Sequence, residues 1–169
     1  MRDGETRNCE RPYGQSDVLN DTAFTPVSSR VVQGKQGAPL ILLIEDDAND
    51  VFFFRRTLSK LGYHADVRVV SSNSEAKRYM LNEGEFSNAA YFRLPDLIVS
   101  DFRLSGDTAL GFVQWLRSEP RFSNIPVVML SGAASQMNPA LFVGLAVNSF
   151  LRKTPDVAAL GATLQPLLP

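Results

Sequence analysis

The stretch LILLIEDDAND, residues 40–50, joins two kinds of chain at a single point. Its first five residues, Leu40 to Ile44, are all apolar. That suits a strand covered on both faces, as in a parallel sheet, rather than one with a wet side. Glu45, Asp46 and Asp47 follow just where such a strand would surface. Adjacent carboxylates repel one another, and beside a low-dielectric core they do so more strongly than in water. Either solvent or a bound cation must offset that repulsion. Which of the two it is depends on what else the chain delivers to the same place.

Working outward, Val51, Phe54, Leu58 and Leu61 are spaced 3, 4 and 3 apart and form one helix face, which Gly62 ends. ADVRVV (65–70) is the next strand, with a helix predicted over 73–83. DLIVS (96–100) is a second buried run, and Ala109, Phe112, Val113 and Leu116 line a helix that must stop before Pro120. IPVVML (125–130) reads as a fourth strand, residues 136–146 as a fourth helix and NSFLR (148–152) as a fifth strand. Val157, Leu160, Leu164 and Leu167 complete a fifth helix, with Pro155 suited to its first turn. Five strands alternating with five helices predict an α/β fold: a doubly wound parallel sheet with right-handed crossovers and helices on both faces. Ligands of such sheets bind beyond the carboxyl ends of the strands, where strand order reverses.

The bulk properties exclude several classes. With 169 residues and a formal net charge of -1, the chain has no basic excess to neutralise nucleic-acid phosphates. No apolar run reaches membrane-spanning length, and the first residues lack the hydrophobic stretch of a signal peptide. Cys9 is the only cysteine, so no internal disulfide can form, and a cytoplasmic location is expected. The lone His64 has no His/Cys metal cluster and no Ser-His or Cys-His pair around it, and it reads as an ordinary polar residue at a strand start. Residues 1–38 mix charge, Gly, Pro and Asn without sustained period and read as a mobile N-terminal extension to a domain spanning 39–169.

At the strand ends the chain places Glu45, Asp46 and Asp47, then Asp101, then Ser131, then Lys153. Several carboxylates, a hydroxyl and an ammonium gathered at one sheet edge make a site for a hard divalent cation, most simply Mg²⁺, which takes few protein oxygens and keeps waters. An aspartate left free there can attack a phosphoryl group. In LLIEDD, DLIVSDFRLSG, VVMLSG and NSFLRK, in that order, the chain resembles the response-regulator receiver domains of two-component signalling.

The resemblance implies a flavodoxin-like (βα)5 fold of strand order 2-1-3-4-5, an order that is a general one for doubly wound sheets. It implies Asp101 as phosphoacceptor, with Glu45 and Asp46 organising the metal and Arg103 offering its backbone carbonyl to it. Ser131 matches the hydroxyl that moves onto the phosphoryl oxygen, Lys153 the amine that pairs with it, and Phe150 the aromatic switch. Plainer readings stand beside these. Asp101 and Ser131 could be turn residues, Lys153 a surface lysine and Phe150 core filling, while Asp47 more naturally starts the first helix.

The chain departs from the family in two places. Receivers usually follow the lysine with a cis proline, whereas here Thr154 intervenes before Pro155. A trans Lys153–Thr154 bond is expected, because a non-proline cis bond costs about 3 to 4 kcal/mol. After Asp101, LSGDTALG replaces the common Pro-Gly turn, so the third helix is expected to begin differently. The long segment 82–96 resembles that of the single-domain regulators that partner bacterial phytochromes.

With a fifth helix ending the pattern, no output domain is expected, and the expected output is a protein contact or passage of the phosphoryl group to another protein. QMNPALFVGLAV (136–147) is apolar nearly all round, which marks an interface. The expected partners are a sensor histidine kinase or histidine phosphotransfer protein, and a second copy docked through the fourth helix, fifth strand and fifth helix, burying Met137, Leu141 and Phe142. Neither nucleic acid nor membrane is expected to bind, and the protein is not expected to be an enzyme. Two rival readings are a degenerate receiver acting only as a docking module, and a haloacid-dehalogenase-type enzyme. The latter wants a second aspartate where this chain has Arg103.

Overall fold

The computed structural model describes residues 37–104, 107–132, 139–153 and 157–168, with only the backbone of 139. The expected extension therefore lies outside the described residues, except for Gly37 and Ala38. Pro155 and Thr154 lie outside them too.

Strand β1 (Leu40–Ile44) is wholly buried. It pairs in parallel with β2 (Asp66–Val70) on one side and β3 (Leu97–Asp101) on the other. Beyond β3 lie β6 (Val127–Ser131) and β7 (Ser149–Arg152), also parallel. The order β2-β1-β3-β6-β7 is the expected 2-1-3-4-5 when these five strands alone are counted. The numbers β4 (Arg103–Leu104) and β5 (Asp107–Thr108) fall to a two-stranded antiparallel hairpin that leads into the third helix. Of LSGDTALG, Leu104, Asp107 and Thr108 make this pairing where receivers commonly have a Pro-Gly turn. Asn73 anchors it, its Nδ2 donating to Asp107 Oδ2 at 2.7 Å and to the Thr108 carbonyl at 2.9 Å.

The helices divide the core in two, as alternating side chains of each buried strand require. On one face Ile41, Leu43, Val99 and Leu130 meet Phe54 and Leu58 of α1 (Ala48–Lys60) and Leu160 and Leu164 of α4 (Val157–Leu164). On the other, Leu42, Ile44, Ile98 and Met129 meet α2 (Asn73–Leu81) and α3 (Ala109–Ser118) through Tyr79, Phe112 and Leu116. Each such side chain contributes about 1.5 to 3 kcal/mol when fully buried.

The helix ends follow the sequence. Gly62 takes φ +71°, and the Tyr63 N–H returns to the Leu58 carbonyl to close α1. Glu119, directly before Pro120, is extended and stops α3. The long segment after α2 carries its own small cluster, with the Phe92 ring 5.8 Å from Tyr79 and 5.2 Å from Phe86. Asn82 sits at φ 56° and ties the segment back through Nδ2 to the carbonyls of Phe86 and Phe92.

One expected element is different. Instead of a fourth α-helix over 136–146, the described part holds a single 3-10 turn, Pro139–Phe142, followed by loop. Gly144 at φ +81° and Ala146 at φ 48° cannot continue a right-handed helix. Arg117 of α3 secures this irregular segment. Its Nε donates to the Leu145 carbonyl at 2.8 Å and its Nη2 to Ala146 at 3.0 Å. Nη1 reaches the carbonyls of Ser123 and Ile125 at 3.0 and 2.9 Å.

Candidate functional site

The carboxyl ends of β1, β3, β6 and β7 meet at one edge of the sheet. The Glu45 N–H still pairs with the Val70 carbonyl, so the residue directly after β1 stays tied to the sheet, and it is only 2% exposed. Asp47 caps α1, accepting from the Asn49 N–H at 2.7 Å. Asp46, next to it, is exposed. Asp101 ends β3 and is 3% exposed. Its Oδ1 accepts from the Arg103 N–H at 3.1 Å, which fixes the carboxylate plane. Ser131 ends β6, buried, and its carbonyl accepts the Lys153 N–H at 2.8 Å, so the register of β7 sets where the lysine emerges.

The Lys153 side chain then reaches back across the edge. Its ammonium lies 2.7 Å from Asp101 Oδ2, 3.0 Å from Glu45 Oε1 and 2.7 Å from Asp50 Oδ2. Burial alone would lower the lysine pKa, but the hydrogen bonds it donates to Asp101, Asp50 and Glu45 outweigh that and hold the ammonium above its ordinary value. Burial pushes the Glu45 carboxyl up, against the opposing pull of the Asp47 N–H and of Lys153. Repulsion from Asp101 adds to that rise as a smaller contribution, and the lysine offsets only part of the whole.

A hard cation suits what remains. Oxygens of Glu45, Asp46 and Asp101 lie within 4.8 Å of one another, an all-carboxylate set of the kind Mg²⁺ takes. The buried Glu45 Oε2 has no hydrogen-bond partner, and an atom so placed wants a cation or a donor. The residues present therefore fit a divalent ion.

The comparisons with known proteins bear on the family and the fold. Residues 41–165 match the family model of the response regulator receiver domain. The chain belongs to that family.

Among solved structures, this receiver is similar to the phosphorylated cyanobacterial phytochrome response regulator RcpA. The two are 27% identical with a TM-score of 0.64, over 78% of this chain and 91% of that one. It is also similar to the bacteriophytochrome response regulator RtBRR, at 28% identity and TM-score 0.68, over 78% of each chain. The Mn²⁺-bound form of response regulator Rcp1, 22% identical, shares the fold at TM-score 0.62, over 76% of this chain and 91% of that one. No curated protein matches.

Glu45, Asp46, Asp101, Ser131 and Lys153 of the receiver thus come to one edge. Phe150 on β7 is half-buried, its ring 5.5 Å from Phe142, which in turn lies 5.9 Å from Phe102 beside Asp101. Of the interface expected at Met137, Leu141 and Phe142, the placement of Phe142 needs correction. Met137 lies outside the described residues, Leu141 is exposed, and Phe142 is 4% exposed and belongs to the core. Without a continuous helix, the 3-10 turn directs Phe142 inward between the two other rings. Asp50 was not anticipated. The sequence marked it only as an acid in the first turn of α1, a common placement that the helix dipole favours.

No helix among the described residues is long and apolar enough to cross a membrane.

Proposed function

We propose that this receiver is a phosphoacceptor of a two-component relay, taking a phosphoryl group on Asp101 and changing a protein contact in response. The observation that carries the reading is the Asp101 carboxylate, buried at the end of β3, 2.7 Å from the Lys153 ammonium and clustered with Glu45 and Asp46. The natural donor is a phosphohistidine on a sensor kinase or phosphotransfer protein. An Asp101 oxygen attacks phosphorus and forms an O–P bond. The P–N bond of the donor breaks, and its electron pair stays with the imidazole nitrogen.

Glu45, Asp46 and Asp101 would hold Mg²⁺, with the Arg103 carbonyl as a further ligand. Bound there, the ion supplies charge neutralisation for the carboxylates and the incoming phosphoryl oxygens. Lys153 holds a positive charge at Asp101 throughout, and Ser131 stands at the neighbouring strand end to donate to the new phosphoryl oxygen. Incubation with Mg²⁺ and phosphoramidate is expected to add one acid-labile phosphoryl group per chain, detected by mass. None should appear in EDTA or in Asp101→Asn. Equal labelling of Asp101→Asn would exclude the assignment.

The response reads out through β7 and the 139–143 turn, where Leu141 is 51% and Val143 81% exposed. A phosphoryl group adds about 1.5 to 2 negative charges, which draw Ser131 and Lys153 and free Phe150 to change rotamer. A second copy meeting this surface about a two-fold axis would cover it on both subunits. Sedimentation of the protein with and without beryllofluoride is expected to show self-association that Leu141→Glu abolishes. A monomer under every condition excludes the dimer.

A further inference from the structure

We infer that Asp50 is a positioning residue that holds the Lys153 ammonium against Asp101, an assignment that rests on the phosphoacceptor reading above. An ammonium carries three N–H donors and no acceptor. Here three carboxylates take them, Asp101 and Asp50 at 2.7 Å and Glu45 at 3.0 Å. The donor set is fully used, so the two bonds to Glu45 and Asp50 fix the direction of the third toward Asp101.

The two anchors come from different elements. Glu45 follows β1, whereas Asp50 lies in the first turn of α1. A lysine stem is long and flexible, and one tether would leave the charge free to swing about it. The Glu45 side chain is 1% exposed and that of Asp50 27%, so Asp50 stands on the solvent side and closes the outward path of the ammonium. Asp50 is not one of the three carboxylates grouped to hold a cation. Its influence on Asp101 therefore runs through the lysine. When a phosphoryl oxygen replaces Asp101 Oδ2 as acceptor, the bonds to Glu45 and Asp50 can persist, and the charge is already aimed at it.

An acid in the first turn of a helix also interacts favourably with the helix dipole. That role would be indifferent to Lys153, which gives the test its form. In the full chain with Mg²⁺ and phosphoramidate, Asp50→Ala is expected to slow phosphoryl uptake about tenfold. Asp50→Glu should recover most of the rate. In a Lys153→Ala background, adding Asp50→Ala should change the rate less than about twofold. In the metal-free protein, the Lys153 ammonium should give a slowly exchanging proton–nitrogen NMR cross-peak that Asp50→Ala removes and Asp50→Glu retains.

Persistence of the cross-peak in Asp50→Ala, or an equal loss of rate in both backgrounds, overturns the assignment. Should Asp50→Ala not fold, Asp50→Asn, which removes the charge but keeps the shape, carries the same comparison. If the parent protein takes up no phosphoryl group, the phosphoacceptor reading falls, while the cross-peak still decides whether Asp50 holds the lysine.

Discussion

Lys153→Ala is expected to lose about 4 kcal/mol of unfolding free energy in EDTA at neutral pH. The residue follows β7 rather than lying on a packed helix face, and its side chain is 17% exposed. The loss arises because the ammonium is the counter-charge to Glu45 and Asp101, whose side chains are only 1% and 4% exposed. Removing one member of a buried ion pair leaves the other desolvated and uncompensated, which costs more than the pair ever contributed. Here two carboxylates would be left facing each other, with Asp46 beside them. Mg²⁺ should stabilise this variant by more than it stabilises the parent, since the ion then supplies the counter-charge that Lys153 no longer does. Urea unfolding of both proteins, with EDTA and with Mg²⁺, measures the four values. A loss below about 1 kcal/mol in EDTA would mean that water already screens the cluster.

The second large effect is expected far from that edge. Arg117→Ala should cost about 2 to 3 kcal/mol, because four backbone carbonyls lose their donor together. The guanidinium is partly buried, and burial draws its pKa below the ordinary value. All four of its described hydrogen bonds run to carbonyls, those of Ser123, Ile125, Leu145 and Ala146. Lysine cannot copy this arrangement, as a point ammonium lacks the planar fork that reaches two loops at once. Arg117→Lys should therefore recover less than half of the loss in urea unfolding. Full recovery by lysine would show that charge alone matters there.

The sheet was readable because its strands are short, continuous and apolar, and because each is followed by polar residues that cannot stay inside. LILLI and DLIVS have no other comfortable place than a strand covered on both faces. Four acids and a lysine at successive strand ends were legible for the same reason, since the topology alone brings those ends together.

The fourth helix misled because apolar content was read without regard to backbone. QMNPALFVGLAV has the composition of a buried helix, but Pro139 lacks an N–H, Gly144 favours positive φ, and Ala146 adopts it against its own preference. The last is paid for by Arg117, a residue 29 positions away whose role no local pattern announces. Phe142 was assigned to the surface for the same reason, and the 3-10 turn placed it between Phe102 and Phe150. Asp50 escaped notice because acids early in a helix are common, so its bond to a lysine 103 residues later was invisible without the fold.

The position of β7 at the edge of the sheet also bears on how the site opens. Glu45, Asp46 and Asp101 follow strands with a neighbour on each side, whereas Lys153 follows the strand that has a neighbour on one side only. Local opening, which starts where a sheet is least secured, would therefore withdraw Lys153 and leave the carboxylates together. In that opened form protons or a cation from the medium would stand in for the ammonium. Docking of the last strand then does two things in one event: it closes the hydrogen-bond ladder of β6 and it delivers the charge.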